Sequence, residues 1–419
     1  MKKFWSNYKQ TIILVASLIL GAIAGLIFKE KTSIVKPLGD LFMNLMFVII
    51  VPMIFLTITT SIAKIKQPKR LGKVISTILI TFVITSLIAV VVGLISTYTI
   101  KLVNPSDETA ILETLSNENN DTNIELNILE RTISAISVSD FALILSKDNI
   151  LALVIFSILF GLAMNKVGKD AAPLEKLLES ANKVILKLVD FTFLYAPIGL
   201  GCYFASLIGT FGSEIAIGYF KTFIVYLIVA ILFYFIVYTI YAFIAGGKPG
   251  VKAFWKNILP ATATSISTCS SAASIPVNID CSKKIGVSND IAETTIPLGT
   301  SFHKDGSIIG SVFKIMFLAY LFGTDIHSLS SILQIIGVSL IANLLVMAVP
   351  VGGGTISEMM IITMMGFPPT ALPILTIIAT IIDPPATMLN VVGDTSCSML
   401  VARKVDGKDW LTKTKKVSS

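Results

Sequence analysis

The segment that decides the fold reads Asp383-Pro-Pro-Ala-Thr387-Met-Leu-Asn390-Val-Val-Gly-Asp394. Its polar residues recur at steps of four, three and four, which places them on one face of an α-helix. Strongly apolar sequence flanks the segment on both sides. Two carboxylates inside such a helix need partners, because an unpaired charge in hydrocarbon is expensive. The obvious partners are a cation, a substrate amine, or both; the alternative is a buried polar network that only fixes helix packing.

The composition is that of a helical membrane protein with several spans. Of the 419 residues, 54% are hydrophobic and only 14% are charged, and the mean hydropathy is +0.83. A soluble domain carries about 25% charged residues. The net charge of +7 is spread over short basic loops, so it indicates a membrane-lipid environment and no nucleic-acid partner.

Cysteine and histidine usage argues against several kinds of site. The four cysteines have no paired spacing, so neither a disulfide framework nor a zinc site is expected. The two histidines are too few for a histidine-rich metal centre. No enzymatic cofactor is indicated.

Apolar segments near the length needed to cross a bilayer, roughly 20 residues, recur along the first part of the chain. The predicted apolar segments are 11–28, 38–63, 74–100, 150–164, 184–209 and 220–245. Pro197 is expected to break the fifth, and a glycine-rich loop at 246–250 is expected to end the sixth. Lysine-rich loops gather on the cytoplasmic side, which predicts that both termini are cytoplasmic in a cell (plasma or inner) membrane. The acidic stretch 104–131 is predicted to lie outside.

The last part of the chain contains interrupted segments rather than ordinary spans. The serine-rich run 262–274 is too small and polar for a lipid-facing helix, which favours a re-entrant hairpin. A glycine run at 352–354 marks a second candidate hairpin within 332–365; its alternative explanation is close helix packing. A polar insertion at 301–307 interrupts the span 291–320. Two broken segments in matching places of a repeated unit are typical of a transporter binding site.

These residues resemble the glutamate transporter family, the dicarboxylate/amino acid:cation symporters, most strongly over 265–402. Pro297-Leu-Gly-Thr-Ser-Phe-His303-Lys304-Asp305-Gly306-Ser307 is similar to the family's Pro-Leu-Gly-Ala-Thr-x-Asn-Met-Asp-Gly-Thr. Asp383, Asn390 and Gly393-Asp394 match the polar positions of its last helix. The resemblance implies an all-α membrane protein with eight transmembrane helices plus two re-entrant helical hairpins. It also implies a homotrimer that works as an elevator.

The resemblance further implies a division of the chain into two domains. A scaffold would comprise 1–70 and 138–212, the first two helices and the fourth and fifth. A transport domain would comprise 71–102, the third helix, and 213–403, which holds both hairpins. Residues 103–137 would be the extracellular acidic loop, and 404–419 the cytoplasmic tail.

Carried over by position, the resemblance assigns a substrate site and a cation site. Asp383 would hold the substrate amino group and Asn390 its carboxylate. The other substrate-binding positions are Ser270, Ser271, Ser307, Gly353, Gly354, Ala386 and Thr387. The cation-binding or coupling positions are Thr85, Ser86, His303, Lys304, Asp305, Asn390 and Asp394. Sodium, if it binds, would be held by Asp305, Asn390 and Asp394, since hard cations prefer oxygen ligands.

Departures from the family pattern change the expected function. Ala386 occupies the position of the family's arginine that binds the acidic side chain of the substrate. Cys269 occupies the position of an arginine found in some relatives. We therefore infer a small neutral amino acid as substrate, because a bidentate guanidinium is not easily replaced. His303 and Lys304 occupy the positions of the Asn and Met that ligate sodium in the family. An ammonium group there can replace sodium as the positive charge. We expect proton-linked or sodium-independent symport, unless Lys304 points into a hydrated vestibule. The alternative is a sodium-coupled carrier of acidic amino acids or dicarboxylates.

Other classes of function fit the sequence less well. There is no His-Glu-x-x-His and no Gly-x-Ser-x-Gly, and Asp383 and Asp394 would lie about 16 Å apart along one helix, too far for a carboxylate dyad. The chain is therefore not expected to be an enzyme. A channel needs a continuous pore, and a scaffold or receptor would not explain buried carboxylates. Pro384 and Pro385 are expected to kink or restart the last helix.

Overall fold

α-Helices make up almost all of the described chain. The computed structural model describes residues 2–63, 72–103, 137–146, 149–211, 213–344 and 353–411, and within these ranges there is no strand. The first helices are α1 (Lys2–Phe28), α2 (Lys36–Ala63), α3 (Gly72–Thr99), α4 (Phe141–Ile144), α5 (Ile150–Val167), α6 (Ala172–Phe211), α7 (Ser213–Leu232) and α8 (Tyr238–Asn257). The remaining helices are α9 (Leu259–Thr268), α10 (Ser271–Ile285), α11 (Asn289–Phe302), α12 (Asp305–Leu321), α13 (Leu329–Leu344), α14 (Gly353–Met365) and α15 (Leu372–Val405). A π-helical turn, Phe233–Val237, joins α7 to α8.

Several of these helices suit a hydrocarbon environment. Among the described residues, three helical stretches are long and apolar enough to cross a bilayer: Val74–Thr99, Ile215–Asn257 and Pro369–Val405. Large apolar side chains such as Leu20, Ile80 and Leu194 are exposed on the outside of the protein. Exposed apolar surface of this extent marks a membrane-facing surface.

The two interruptions predicted at prolines are wrong. α6 continues through Pro197, and α15 continues through Pro384 and Pro385 without restarting. Prolines are tolerated inside membrane helices because neighbouring groups can satisfy the carbonyls that they leave without a donor. The interruption predicted after residue 245 is present: Gly246 and Gly247 leave the helical conformation within α8, and Gly247 has a φ of 60° that glycine adopts without strain.

One helical pair forms a hairpin at the first predicted place, and a second pair of helices packs together at the other. α9 ends at Thr268, Cys269 takes a left-handed conformation with φ 47°, and Ser270 caps α10 by accepting a hydrogen bond from the N–H of Ala273 at 3.2 Å. α13 and α14 are the second pair, and the Gln334 amide joins them by donating to the Met364 carbonyl at 2.8 Å. Residues 345–352, which include Gly352 of the predicted second tip, lie outside the described residues.

The polar insertion produces a break between α11 and α12. α11 ends at Phe302 and α12 begins at Asp305, so His303 and Lys304 form the link. α12 then crosses α15 at very short range, since a Cβ added to Gly306 would lie 2.7 Å from the Ala386 Cα. One turn on, a Cβ added to Gly310 would lie 2.8 Å from Ile382 Cδ1, so the two helices run antiparallel here.

Two groups of helices pack among themselves. α6 packs against α1 and α2, and α2 packs against α5, whereas α3, α14 and the helices from α7 to α12 all contact α15. α15 is buried along most of its length. The polar stripe of α15 is therefore at the centre of the second group, with the broken link between α11 and α12 against it.

We expect Gly306→Ala to lower the melting temperature, because its added methyl would overlap the Ala386 backbone. Overpacking of this kind costs about 1–3 kcal/mol. Gly337→Ala on α13 is the control, since nothing lies within 4 Å of its added Cβ and alanine favours helix. Thermal unfolding in detergent measures both variants, and equal loss of stability would contradict the close crossing.

Candidate functional site

His303 lies at the centre of a buried charge cluster. Its side chain has no exposed surface. Nδ1 lies 3.0 Å from Oδ1 of Asp394, and Nε2 lies 3.0 Å from Oδ1 of Asp305. Nε2 is also 2.8 Å from Oγ1 of Thr85 on α3. The imidazole therefore connects both predicted cation-site carboxylates with α3.

The hydrogen-bond geometry around the His303 ring favours an imidazolium. The Thr85 hydroxyl has an acceptor of its own, the Thr81 carbonyl at 2.9 Å, so its lone pair can accept from Nε2–H. Nδ1 faces the Asp394 carboxylate, which when ionised can only accept. A ring with two N–H groups satisfies both contacts, and its positive charge compensates the buried carboxylates on either side.

Aromatic and sulfur groups complete the surroundings of His303. The Phe82 ring stacks on the imidazole with centroids 4.7 Å apart, an arrangement that favours a cationic ring. The Cys397 thiol lies 3.7 Å from Nε2. The sequence analysis identified neither residue, although each lies one helical turn from a predicted site residue. Phe82 precedes Thr85 by one turn, and Cys397 follows Asp394 by one turn.

The two carboxylates are held by close backbone packing. A Cβ added to Gly299 would lie 2.5 Å from Cγ of Asp394, and one added to Gly393 would lie 2.9 Å from Oδ2 of Asp305. The Tyr238 hydroxyl lies 3.2 Å from Oδ2 of Asp305 and 2.6 Å from the Leu389 carbonyl. No sequence signal indicated Tyr238, which reaches this cluster from the first residue after the π-helical turn.

Three buried oxygens of predicted cation-site residues make no hydrogen bond of good geometry, although one of them, Asp305 Oδ1, lies 3.0 Å from His303 Nε2. Ser86 Oγ, Asp305 Oδ1 and Asp394 Oδ2 have no hydrogen-bond partner within the described part of the chain. Lys304, the residue between His303 and Asp305, is partly buried and attracts Asp394 electrostatically. Oxygens of this kind can take up a proton or a cation.

Asp383 has different surroundings from Asp394, although both are on α15. Its side chain is exposed, while the neighbouring Ile382 and Pro385 are buried. The Thr387 hydroxyl donates to Oδ1 of Asp383 at 3.1 Å. An exposed carboxylate on an otherwise buried helix indicates that water or a polar ligand can reach this point.

Asn390 connects the region of Asp383 with the histidine cluster. Its Nδ2 donates to Oγ of Ser307 at 2.9 Å, and its Oδ1 accepts from the Ser307 N–H at 3.1 Å. Ser307 follows Asp305 by two residues, so this pair fixes the start of α12 against α15. One further N–H of the Asn390 amide can donate to a ligand.

The other predicted substrate residues occupy separate elements. Ser270 and Ser271 lie at the turn of the first hairpin and are partly buried. Ala386 is buried, with its backbone against Gly306. Gly353 and Gly354 begin α14.

Tyr238→Phe is expected to lower the free energy of unfolding by about 1–3 kcal/mol, because buried acceptors lose a donor. Tyr241→Phe is the matched control: it lies on the same helix, and its buried hydroxyl has no hydrogen-bond partner among the described residues. That variant should be neutral or slightly stabilising. Thermal melting compares the two, and a loss in Tyr241→Phe as large as that in Tyr238→Phe would contradict the assignment.

Several known transport proteins are similar to this chain over most of its length. A proton/sodium-glutamate symport protein of Bacillus caldotenax is 25% identical over 403 residues, or 92% of each chain. A C4-dicarboxylate transport protein of Acidovorax ebreus (strain TPSY) is 29% identical over 322 residues, or 75% of this chain and 69% of that protein. One of Bacillus subtilis (strain 168) is 27% identical over 323 residues, or 75% of each chain.

The family profile matches nearly the whole chain, at residues 10–404. The protein is therefore a membrane transporter and not an enzyme, and cation-coupled symport is supported. The chain belongs to the sodium:dicarboxylate symporter family.

Proposed function

We propose that this symporter carries a small neutral amino acid without requiring sodium, because a histidine of its own chain takes the place of a cation. The observation that carries this proposal is the position of His303, 3.0 Å from a carboxylate oxygen of both Asp305 and Asp394. Coupling is then proton-linked or independent of any metal cation.

Charge compensation explains why sodium is dispensable. Asp305 and Asp394 bring two negative charges, and protonated His303 with Lys304 brings two positive ones. The cluster is neutral before any ion arrives, so a sodium ion would be repelled by the imidazolium and the ammonium. Release of the His303 proton would leave a net negative cluster, which provides a route to proton coupling.

The substrate follows from Asp383. Its exposed carboxylate suits the amino group of an amino acid, and the second N–H of Asn390 can donate to the carboxylate. Neither Ala386 nor Cys269 offers a cation for a second carboxylate. A neutral side chain therefore matches the charges present better than a dicarboxylate.

The elevator arrangement is supported by the two groups of helices that pack among themselves. In this proposal, 1–70 and 138–212 form the scaffold of a homotrimer, and 71–102 with 213–403 form the moving transport domain. Both hairpins are re-entrant, and the second is the extracellular gate. The termini face the cytoplasm, the acidic loop 103–137 faces outward, and the tail is 404–419.

A sodium-coupled carrier of acidic amino acids or dicarboxylates is the second candidate. Ser86 Oγ, Asp305 Oδ1 and Asp394 Oδ2 could ligate an ion, since they lack hydrogen-bond partners in the described chain. The names of the relatives also favour it.

We expect purified protein in liposomes to take up a neutral amino acid equally well with external sodium or choline. The double variant His303→Asn/Lys304→Met removes both positive charges and restores the family's residues. Its uptake should become sodium-dependent. His327→Asn, which changes the other histidine, should behave like the wild type. Strict sodium dependence of the wild type would refute the coupling proposal, and uptake without saturable counterflow would indicate a channel.

The substrate assignment is tested by ligand-induced stabilisation. Neutral amino acids should raise the melting temperature of the wild type, because a ligand at 100 times its Kd stabilises the folded state by about 2.7 kcal/mol. Asp383→Asn should abolish this shift, whereas Asp280→Asn, at an exposed surface ion pair, should preserve it. Stabilisation by dicarboxylates alone would favour the second candidate.

A further inference from the structure

A buried cation lies near the carboxylate proposed to bind the substrate amino group. Lys314 on α12 is 5% exposed, and its charge attracts that of Asp383. Gly310, one turn before Lys314, packs against Ile382, the residue before Asp383. Lys314 therefore begins one helical turn from the level of Asp383. A cation in this position would be expected to attract a second carboxylate of the substrate.

Glu358 on α14 compensates the charge of Lys314. Glu358 is 1% exposed, and its Oε1 lies 3.5 Å from Nζ of Lys314. The other carboxylate oxygen, Oε2, accepts a hydrogen bond from the Thr376 hydroxyl on α15 at 2.8 Å. The Glu358 carboxylate is therefore held by α15 while it faces the lysine, and the Lys314–Glu358 pair as a whole is neutral.

The Lys314–Glu358 pair lies on the same face of α15 as the proposed substrate positions. Thr376, Asp383 and Asn390 follow one another at intervals of seven residues, which is close to two helical turns. Successive members of this series are about 10 Å apart along the helix. A substrate whose carboxylate and amino group bind at Asn390 and Asp383 therefore has the pair next along this face, beside Thr376.

The geometry of the pair leaves it able to respond to a third charge. Its 3.5 Å distance exceeds the about 2.7–2.9 Å of a direct charge-assisted hydrogen bond. An acidic side chain beside it would be attracted by Lys314 and repelled by Glu358, so nothing would offset the loss of its hydration. A basic side chain would meet the same two forces with opposite signs. An uncharged side chain carries no such cost.

We propose that Lys314 and Glu358 are specificity-determining residues that select substrates with an uncharged side chain, because each cancels the attraction that the other would exert on a charged one. This inference deepens the proposed function and rests on it. The selected side-chain charge then follows the net charge of positions 314 and 358. Loss of the Glu358 charge leaves a cation that an acidic side chain satisfies, and loss of the Lys314 charge leaves an anion that a basic side chain satisfies.

The preference is measured as ligand-induced stabilisation of the purified protein in detergent. The neutral ligands are L-alanine, L-serine and L-asparagine, the acidic ligand is L-aspartate, and the basic ligand is L-ornithine. The concentration of each that gives half of its maximal rise in melting temperature defines the order of preference. The wild type should respond to a neutral amino acid at the lowest concentration.

Glu358→Gln should lower the half-stabilising concentration of aspartate relative to that of the best neutral ligand by about thirtyfold or more, a size typical of a buried charge left without its partner. Lys314→Met should have the same effect for ornithine. The double variant Lys314→Met/Glu358→Gln should keep the wild-type order. Glu293→Gln and Lys283→Met each remove an exposed ion pair and are the matched controls, which should also keep that order.

An unchanged order of preference in either single variant that folds would overturn the proposal, since a purely structural ion pair affects stability without affecting selectivity. Each single variant is purified with its complementary amino acid, which is then removed by dialysis. If neither variant folds even under this condition, the pair is only structural and the proposal is overturned.

The wild type separates this inference from the proposed function. Stabilisation of the wild type by aspartate alone would refute the neutral-substrate assignment and the inference that rests on it. A neutral preference of the wild type, combined with single variants that do not switch, would refute only the role of the Lys314–Glu358 pair.

Discussion

Compensation of charge inside hydrocarbon is the constraint on which this structure depends. Asp394 and Asp305 are fully buried, and each is costly unless a positive group lies beside it. The break between α11 and α12 places His303 against both carboxylates. Gly299 and Gly393 let the backbone approach closely enough for the three side chains to meet. The interrupted span and these two glycines therefore make this contact possible.

The need to compensate buried charge also explains why the two ends of the polar stripe on α15 have different surroundings. At one end, Asp394 is enclosed and has a cationic partner from its own chain. At the other, Asp383 is exposed, and among the described residues the Thr387 hydroxyl is its only hydrogen-bond donor. Asn390 lies between them and fixes Ser307, so a change at the cluster can reach the ligand position through two hydrogen bonds. Such a link provides a physical basis for coupling between the two sites.

The sequence was sufficient to predict those features that depend on residues within a single segment. A polar stripe in an apolar helix, a serine-rich run and a polar insertion each predicted a feature that lies in one segment. The position of Tyr238 could not be predicted, because its partners Asp305 and Leu389 lie on other helices and are set only by packing. Pro384 and Pro385 were misinterpreted because proline usually ends helices in water, whereas membrane neighbours can satisfy the carbonyls it exposes.

The covalent attachment of His303 has a thermodynamic consequence for the proposed carrier. A dissolved ion enters from one compartment and leaves into the other, so its electrochemical gradient can do work on the cargo. An imidazolium tethered to the backbone travels back with the empty carrier and transfers no net charge in a full cycle. Any accumulation against a gradient must then be driven by a mobile species, either the proton carried on that ring or a second amino acid moving in the opposite direction.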